Sequence, residues 1–165
     1  MRKLVAEVSL WLFVVALSLQ MGAGLYEMRV VTPLWSASPP ASVRAWNADA
    51  RDAVEPRAKF WRYCTPAVGL TAALALVAGS KKGGRERQWL VASSATVVVL
   101  VLSTYLYFAP SLALLLERRG AGLSDEQVIE RVGSWLWLGR VRAAAYVLAW
   151  LAALKALSVS GRQEV

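Results

Sequence analysis

Residues 8–26, 63–80 and 88–116 run without a single charged side chain, each for about the length of a bilayer crossing. A spanning helix needs about 20 mostly apolar residues, because hydrocarbon offers no water to satisfy an open backbone. A fourth stretch, 132–160, is interrupted by Arg140, Arg142 and Lys155. Even so, Trp135, Trp137 and the run 143–154 leave no polar face wide enough for an ordinary surface helix. The pattern predicts an all-α integral membrane four-helix bundle. It forms a single domain over residues 1–165, with spans near 5–27, 60–80, 88–110 and 133–157.

Composition removes several kinds of chemistry. With no histidine, His-ligated metals, haem and Ser-His-Asp or Cys-His catalysis are excluded, and the lone Cys64 allows neither an internal disulfide nor a thiolate cluster. No metal and no cofactor are expected. The net charge of +8 comes from basic residues scattered among apolar spans. That distribution fits anionic lipid headgroups and argues against nucleic acid, which calls for a basic stripe beside a binding motif.

The connections carry their own signals. Ser124 and Gln127 have the capping-box spacing, so the fourth helix should begin at Asp125 and run to about Ser158, longer than the hydrocarbon is thick. The first connection contains Pro33, Pro39, Pro40 and Pro56. Within it Val43, Trp46, Ala50 and Val54 recur at helical spacing opposite Arg44, Asp49, Arg51 and Asp52, which predicts a short amphipathic helix on the membrane surface. Arg2 and Lys3 share one side of an even-numbered bundle with the basic turn at Lys81, Lys82, Arg85 and Arg87. The positive-inside rule then places both termini in the cytoplasm of a cell-membrane protein. The other side also carries arginines, among them Arg57, Arg118 and Arg119, and the amino-terminal run has a rival reading as a signal peptide.

Four alternating spans bring the end of the first, the start of the second, the end of the third and the start of the fourth to one leaflet. Glu27, Arg62, Tyr63, Tyr105, Tyr107, Arg140 and Arg142 gather there. Helical spacing sets Gln20, Gly24 and Glu27 on one line, Arg62 with Pro66, Gly69 and Ala73, Thr96 with Ser103 and Tyr107, and Arg142 with Ala145, Ala149 and Ala153. Small faces pack, so Gly24 should admit a close neighbour, Arg142 should look inward and Arg140 should snorkel. Glu27 would then pair with Arg62 and Arg142, leaving surplus donors for a carboxylate, phenolate, quinone oxygen or phosphate. Trp135 and Trp137 read as an interfacial belt and Cys64 as packing. The competing reading makes the charged group a device that only fixes helix register and tilt.

The run GAGLYEMRVVTPLW resembles the anthrone-oxygenase-like family of small four-helix membrane proteins. RAWNA, PRAKFWRYCTP, YFAP and GSWLWLGRVRAAAYVLAWLAALKAL agree with it in order. The resemblance places Glu27, Pro33, Trp46, Asn47, Pro110, Trp135 and Arg142 in family-like motifs and implies a cofactor-independent oxygenase acting on a phenolic substrate. YFAPSL departs from it by lacking an Asn after the proline. The candidate ligand-binding residues are Glu27, Asn47, Arg62, Tyr107 and Arg142, with the surface helix near Trp46 as a lid. The expected function is membrane binding of a small amphiphilic or phenolic molecule at one leaflet. The alternative is a non-catalytic subunit packed against another copy or a larger membrane complex, and a transporter is the least supported class.

Overall fold

The computed structural model describes residues 2–49, 54–80, 84–117 and 122–160. Ala50, Arg51, Asp52, Lys81, Lys82, Arg118 and Arg119 lie outside the described residues. The described chain is helical, without strands. The first rod is α1 (Arg2–Tyr26), a π turn (Glu27–Val31) and α2 (Thr32–Ser36), followed by a short separate helix α3 (Ala41–Asp49) and then α4 (Val54–Ser80). The third long rod is α5 (Gly84–Ser103), a π turn (Thr104–Phe108), α6 (Ala109–Leu112) and a further π turn (Ala113–Glu117), and α7 (Asp125–Ser160) completes the chain. Four of these rods are long and apolar enough to cross a membrane.

Two rods run further than the proline pattern predicts. Pro33 and Pro110 were expected at or beyond span ends, yet helix continues through both. A proline has no N–H for the carbonyl four residues back, and its ring collides with that carbonyl. Each proline sits directly behind a π turn, in which Thr32 N–H donates to the Glu27 carbonyl and Ala109 N–H to the Thr104 carbonyl, five residues back. The wider turn resets the ladder, and each proline falls in the first turn of the next α segment, where a missing N–H costs little.

The rods form a square. α1 packs beside α4 and α7, and α5 beside the same two, so α1 and α5 stand at opposite corners. The outer faces are apolar: Leu19, Leu70 and Leu148 are 64%, 64% and 67% exposed. Water would penalise such a surface, whereas hydrocarbon is its natural solvent.

In lipid the tails are as apolar as leucine, so helices associate through close packing and interhelical hydrogen bonds. One half of the bundle shows both. Phe13, Leu17, Val68, Ala72, Val97, Ala149 and Ala153 form a dense core. On α4, a Cβ added at Gly69 would lie 3.2 Å from Val101 Cγ1, and one at Gly79 would lie 3.0 Å from Leu90 Cγ. Ser93 Oγ donates to the Ala149 carbonyl at 2.6 Å, and Trp150 Nε1 donates to Ser18 Oγ at 2.9 Å. The buried stripe of α4 is Thr65, Val68, Ala72, Ala75 and Gly79, so Pro66 and Ala73 face outward, contrary to the predicted face.

The other end is capped by aromatic rings. Trp35 and Phe108 each meet Trp135 edge to face, with centroids 5.3 and 5.9 Å apart. Trp135 is therefore core and not belt, while Trp137 does face outward. The predicted surface helix exists as α3, although Val54 belongs to α4. α3 docks by burying Val43, by Ser42 Oγ donating to the Trp35 carbonyl at 2.8 Å, and through an exposed Arg44–Asp125 ion pair to the start of α7. The capping box is formed as predicted: Ser124 N–H donates to Gln127 Oε1 at 3.0 Å and Gln127 N–H to Ser124 Oγ at 3.3 Å.

Candidate functional site

Between the dense half and the aromatic cap, the four rods line a half-open cavity of about 360 Å³. Its walls include Gln20, Gly24 and Glu27 from the first rod, and Arg57, Trp61 and Arg62 from α4. Thr104 and Phe108 come from the third rod, and Gly139, Arg142 and Tyr146 from α7. Glycine has the opposite use here from its use at Gly69. A Cβ at Gly24 or Gly139 would meet nothing within 4 Å, so these residues leave room and do not draw helices together. The expected close approach at Gly24 is corrected accordingly.

All three π turns border the cavity, and the first residue of two of them, Glu27 and Thr104, receives an arginine. Arg57 Nη1 donates to Glu27 Oε1 at 2.8 Å, with both side chains only 14% exposed. Arg142 Nη1 donates to Thr104 Oγ1 at 3.1 Å. The Thr104 hydroxyl donates back to the Leu100 carbonyl at 2.9 Å, which turns its lone pairs toward the guanidinium. Arg142 Cζ also lies 3.9 Å from the Phe108 ring centroid, a cation–π contact that fixes the plane of the guanidinium.

Of the sequence-predicted site residues, Glu27, Arg62 and Arg142 reach the cavity. Their predicted pairing does not form. Glu27 is held by Arg57, and among the described residues no carboxylate pairs with Arg142 or Arg62. Arg57 was read as part of a connection because the second span was expected to begin near residue 60; α4 begins at Val54, which carries Arg57 into the wall. Tyr107 does not line the cavity and packs against the aromatic cluster, its ring edge to face with Phe108. Asn47 lies in the cap, where its Nδ2 donates to the Leu115 carbonyl at 3.0 Å. Trp46, expected as a lid, lines a separate outer groove between the first rod and α4 that shares Glu27, Arg57 and Trp61 with the cavity.

Tyr146 also lines the cavity, and sequence reasoning missed it. Four residues after Arg142, it shares that arginine's face of α7. It is 6% exposed, and its oxygen is buried beside Gln20 and Thr104. Gln20 accepts from Cys64 Sγ at 3.3 Å, which accounts for the lone cysteine as an interhelical contact.

No family model matches the chain, and no curated protein or solved structure is significantly similar to it.

The charge balance follows from these contacts. Glu27 neutralises Arg57, so the cavity retains two cations: Arg142 half-buried in the wall and Arg62 exposed toward the outside. Among the described residues no group of His, Cys, Asp or Glu could hold a metal ion. The arrangement is suited to holding an anion.

Proposed function

We propose that this is a multi-pass integral membrane protein, with both termini cytoplasmic, that binds a small amphiphilic molecule by its anionic or phenolic head in the cavity at one leaflet. The observation that carries the reading is Arg142, a cation without a carboxylate partner among the described residues, in the wall of a half-open cavity. Insertion scales charge about 2.5 to 3.5 kcal/mol for such a group at mid-bilayer, and intramembrane arginines that only hold structure together are normally paired. An entering anion would supply the missing partner. The orientation rests on the basic residues Arg2, Lys3, Lys81, Lys82, Arg85 and Arg87 falling on one side.

The resemblance to anthrone-oxygenase-like proteins extends this reading to phenolic ligands. A phenol held as its anion against Arg142 is the form that reacts with dioxygen, and a fixed guanidinium favours that ionisation. Oxygen uptake by the purified protein across a panel of polycyclic phenols tests this extension separately from binding.

Native mass spectrometry of the protein released from mild detergent tests the binding itself. The wild type is expected to retain an anionic amphiphile, and Arg142→Ala and Gly139→Leu are expected to lose it, the second by filling the open space at Gly139. Equal retention by Gly139→Leu would reject the cavity as the site. A wild type that binds no amphiphile but brings down one reproducible protein partner would favour an accessory subunit.

A further inference from the structure

We propose that the cavity takes its ligand sideways from the bilayer, as a single-chain anionic amphiphile passing between α4 and the third rod, with Arg62 on the lip as the residue that captures its head. This rests on the anionic-amphiphile reading above and adds the source of the ligand and its route. The seam itself carries the inference. At Gly69 and Val101 it is shut, since a Cβ on Gly69 would lie 3.2 Å from Val101 Cγ1. Thr65, Arg62 and Ala58 continue the Gly69 face of α4 at helical spacing, and Tyr105 and Ala109 continue the Val101 face of the third rod. All of these line the cavity. Thr65, one turn from Gly69, is still buried, but Ala58, Arg62, Tyr105 and Ala109 are exposed. Two faces that lie against each other at one end of the seam therefore stand apart at the other, and they part where the π turn Thr104–Phe108 begins.

The chemistry along the seam suits a charged head on one oily tail. At about 30 Å³ for each water-sized atom, a space of about 360 Å³ holds about a dozen non-hydrogen atoms. That is a head group and the first part of one chain. The rest of the tail must run out of the cavity, and an opening toward hydrocarbon between Ala58 and Ala109 lets it remain in lipid. Arg62 lies near the start of α4, where a long basic side chain snorkels to the headgroups at little cost. It attracts an anion lying in the leaflet, and Arg142, paired with no carboxylate among the described residues, holds it inside. The other seams are less suited. The Glu27–Arg57 pair and the Cys64–Gln20 contact join the first rod to α4, while Arg142–Thr104 and Trp135–Phe108 contacts join α7 to the third rod. The first rod and α7 expose two lining side chains, Leu25 and Val147, but both are apolar and offer a charged head no partner.

The test follows 2-bromododecanoic acid by stopped-flow fluorescence as it binds the full chain in phosphatidylcholine nanodiscs. Its bromine, next to the head, quenches Trp61 and Trp135 in the cavity wall. Ala58→Phe and Ala109→Phe each put bulk in the passage at an exposed position. Each is expected to slow association and dissociation alike, at least about fivefold, with the affinity within about twofold of wild type, because an obstructed path raises the barrier without touching the bound state. Leu106→Phe, which is 79% exposed and away from the cavity, should change neither rate. Arg62→Gln should slow association about threefold and leave dissociation unchanged, as loss of a rim charge does. Unchanged rates in both alanine variants, or slowing by Leu25→Phe alone, overturn the passage between α4 and the third rod and leave the anionic-amphiphile reading standing. Faster dissociation with unchanged association in Arg62→Gln overturns the capture role of Arg62. Absence of saturable quenching in the wild type overturns both the route and the anionic-amphiphile reading.

Discussion

Gly69 and Gly79 let α5 come so near α4 that an added methyl group would press on Val101 and Leu90, whereas Gly24 and Gly139 face open space. The same residue closes one half of the bundle and opens the other. The dense half contains aliphatic side chains and buried serines, and Ser93 and Ser94 both find carbonyl acceptors. The wide half contains the cavity, with four charged side chains on its walls. Cavities and buried charge both cost stability, so the wide half is held open at a cost that packing alone does not explain. The bundle therefore concentrates its close packing in one half and its charged side chains in the other.

Substitutions can break or sharpen this contrast. The largest effect is expected from Glu27→Ala, which strands Arg57 in a 14% exposed position and should cost about 3 to 5 kcal/mol in denaturant unfolding from mixed micelles. A loss below about 1 kcal/mol would mean the pair is no stronger than a surface one. Gly79→Leu should cost about 1 to 3 kcal/mol by overpacking against Leu90. Gly139→Leu should change stability by less than about 0.5 kcal/mol, and similar values for the two would erase the distinction between the halves. Arg142→Leu should raise stability by about 1 kcal/mol while abolishing ligand retention, the usual sign of a residue kept for function. If stability falls instead, Arg142 is structural. Ser93→Ala should cost about 0.6 kcal/mol, typical of an interhelical hydrogen bond in a membrane protein. Smallest of all, Arg44→Ala should remove less than about 0.5 kcal/mol, since its ion pair with Asp125 is largely exposed.

The parts that were legible in the sequence are those where polar and apolar environments differ sharply. The start of α7 could be placed to the residue, because Ser124 and Gln127 satisfy backbone groups at a water-facing end. The inward turn of Arg142 and the outward turn of Arg140 also followed, since alanines mark a packed face. Faces were harder to choose on the third rod. The side meeting lipid is as apolar as the side meeting protein, so Thr96–Ser103–Tyr107 and Val97–Val101–Thr104–Phe108 look equally inward, and the second is the buried one. Glu27's partner was missed for a different reason. Charges near a helix end can pair with any neighbour at the same depth, and only the extension of α4 back to Val54 puts Arg57 within reach. Tyr146 was findable by its spacing from Arg142, but within RAAAY it reads as one more apolar core residue.

The π turn at Glu27–Val31 takes up one more residue than an α-helix of the same rise would need. If the turn rewound as ordinary α-helix with that residue retained, everything beyond it would be turned by about 100°. Trp35 would swing away from Trp135 and Phe108, and the aromatic roof would come apart, although the rod would still be long enough to traverse the bilayer. Membrane insertion and the shape of the chamber are thus separable traits, and one surplus residue is enough to uncouple them.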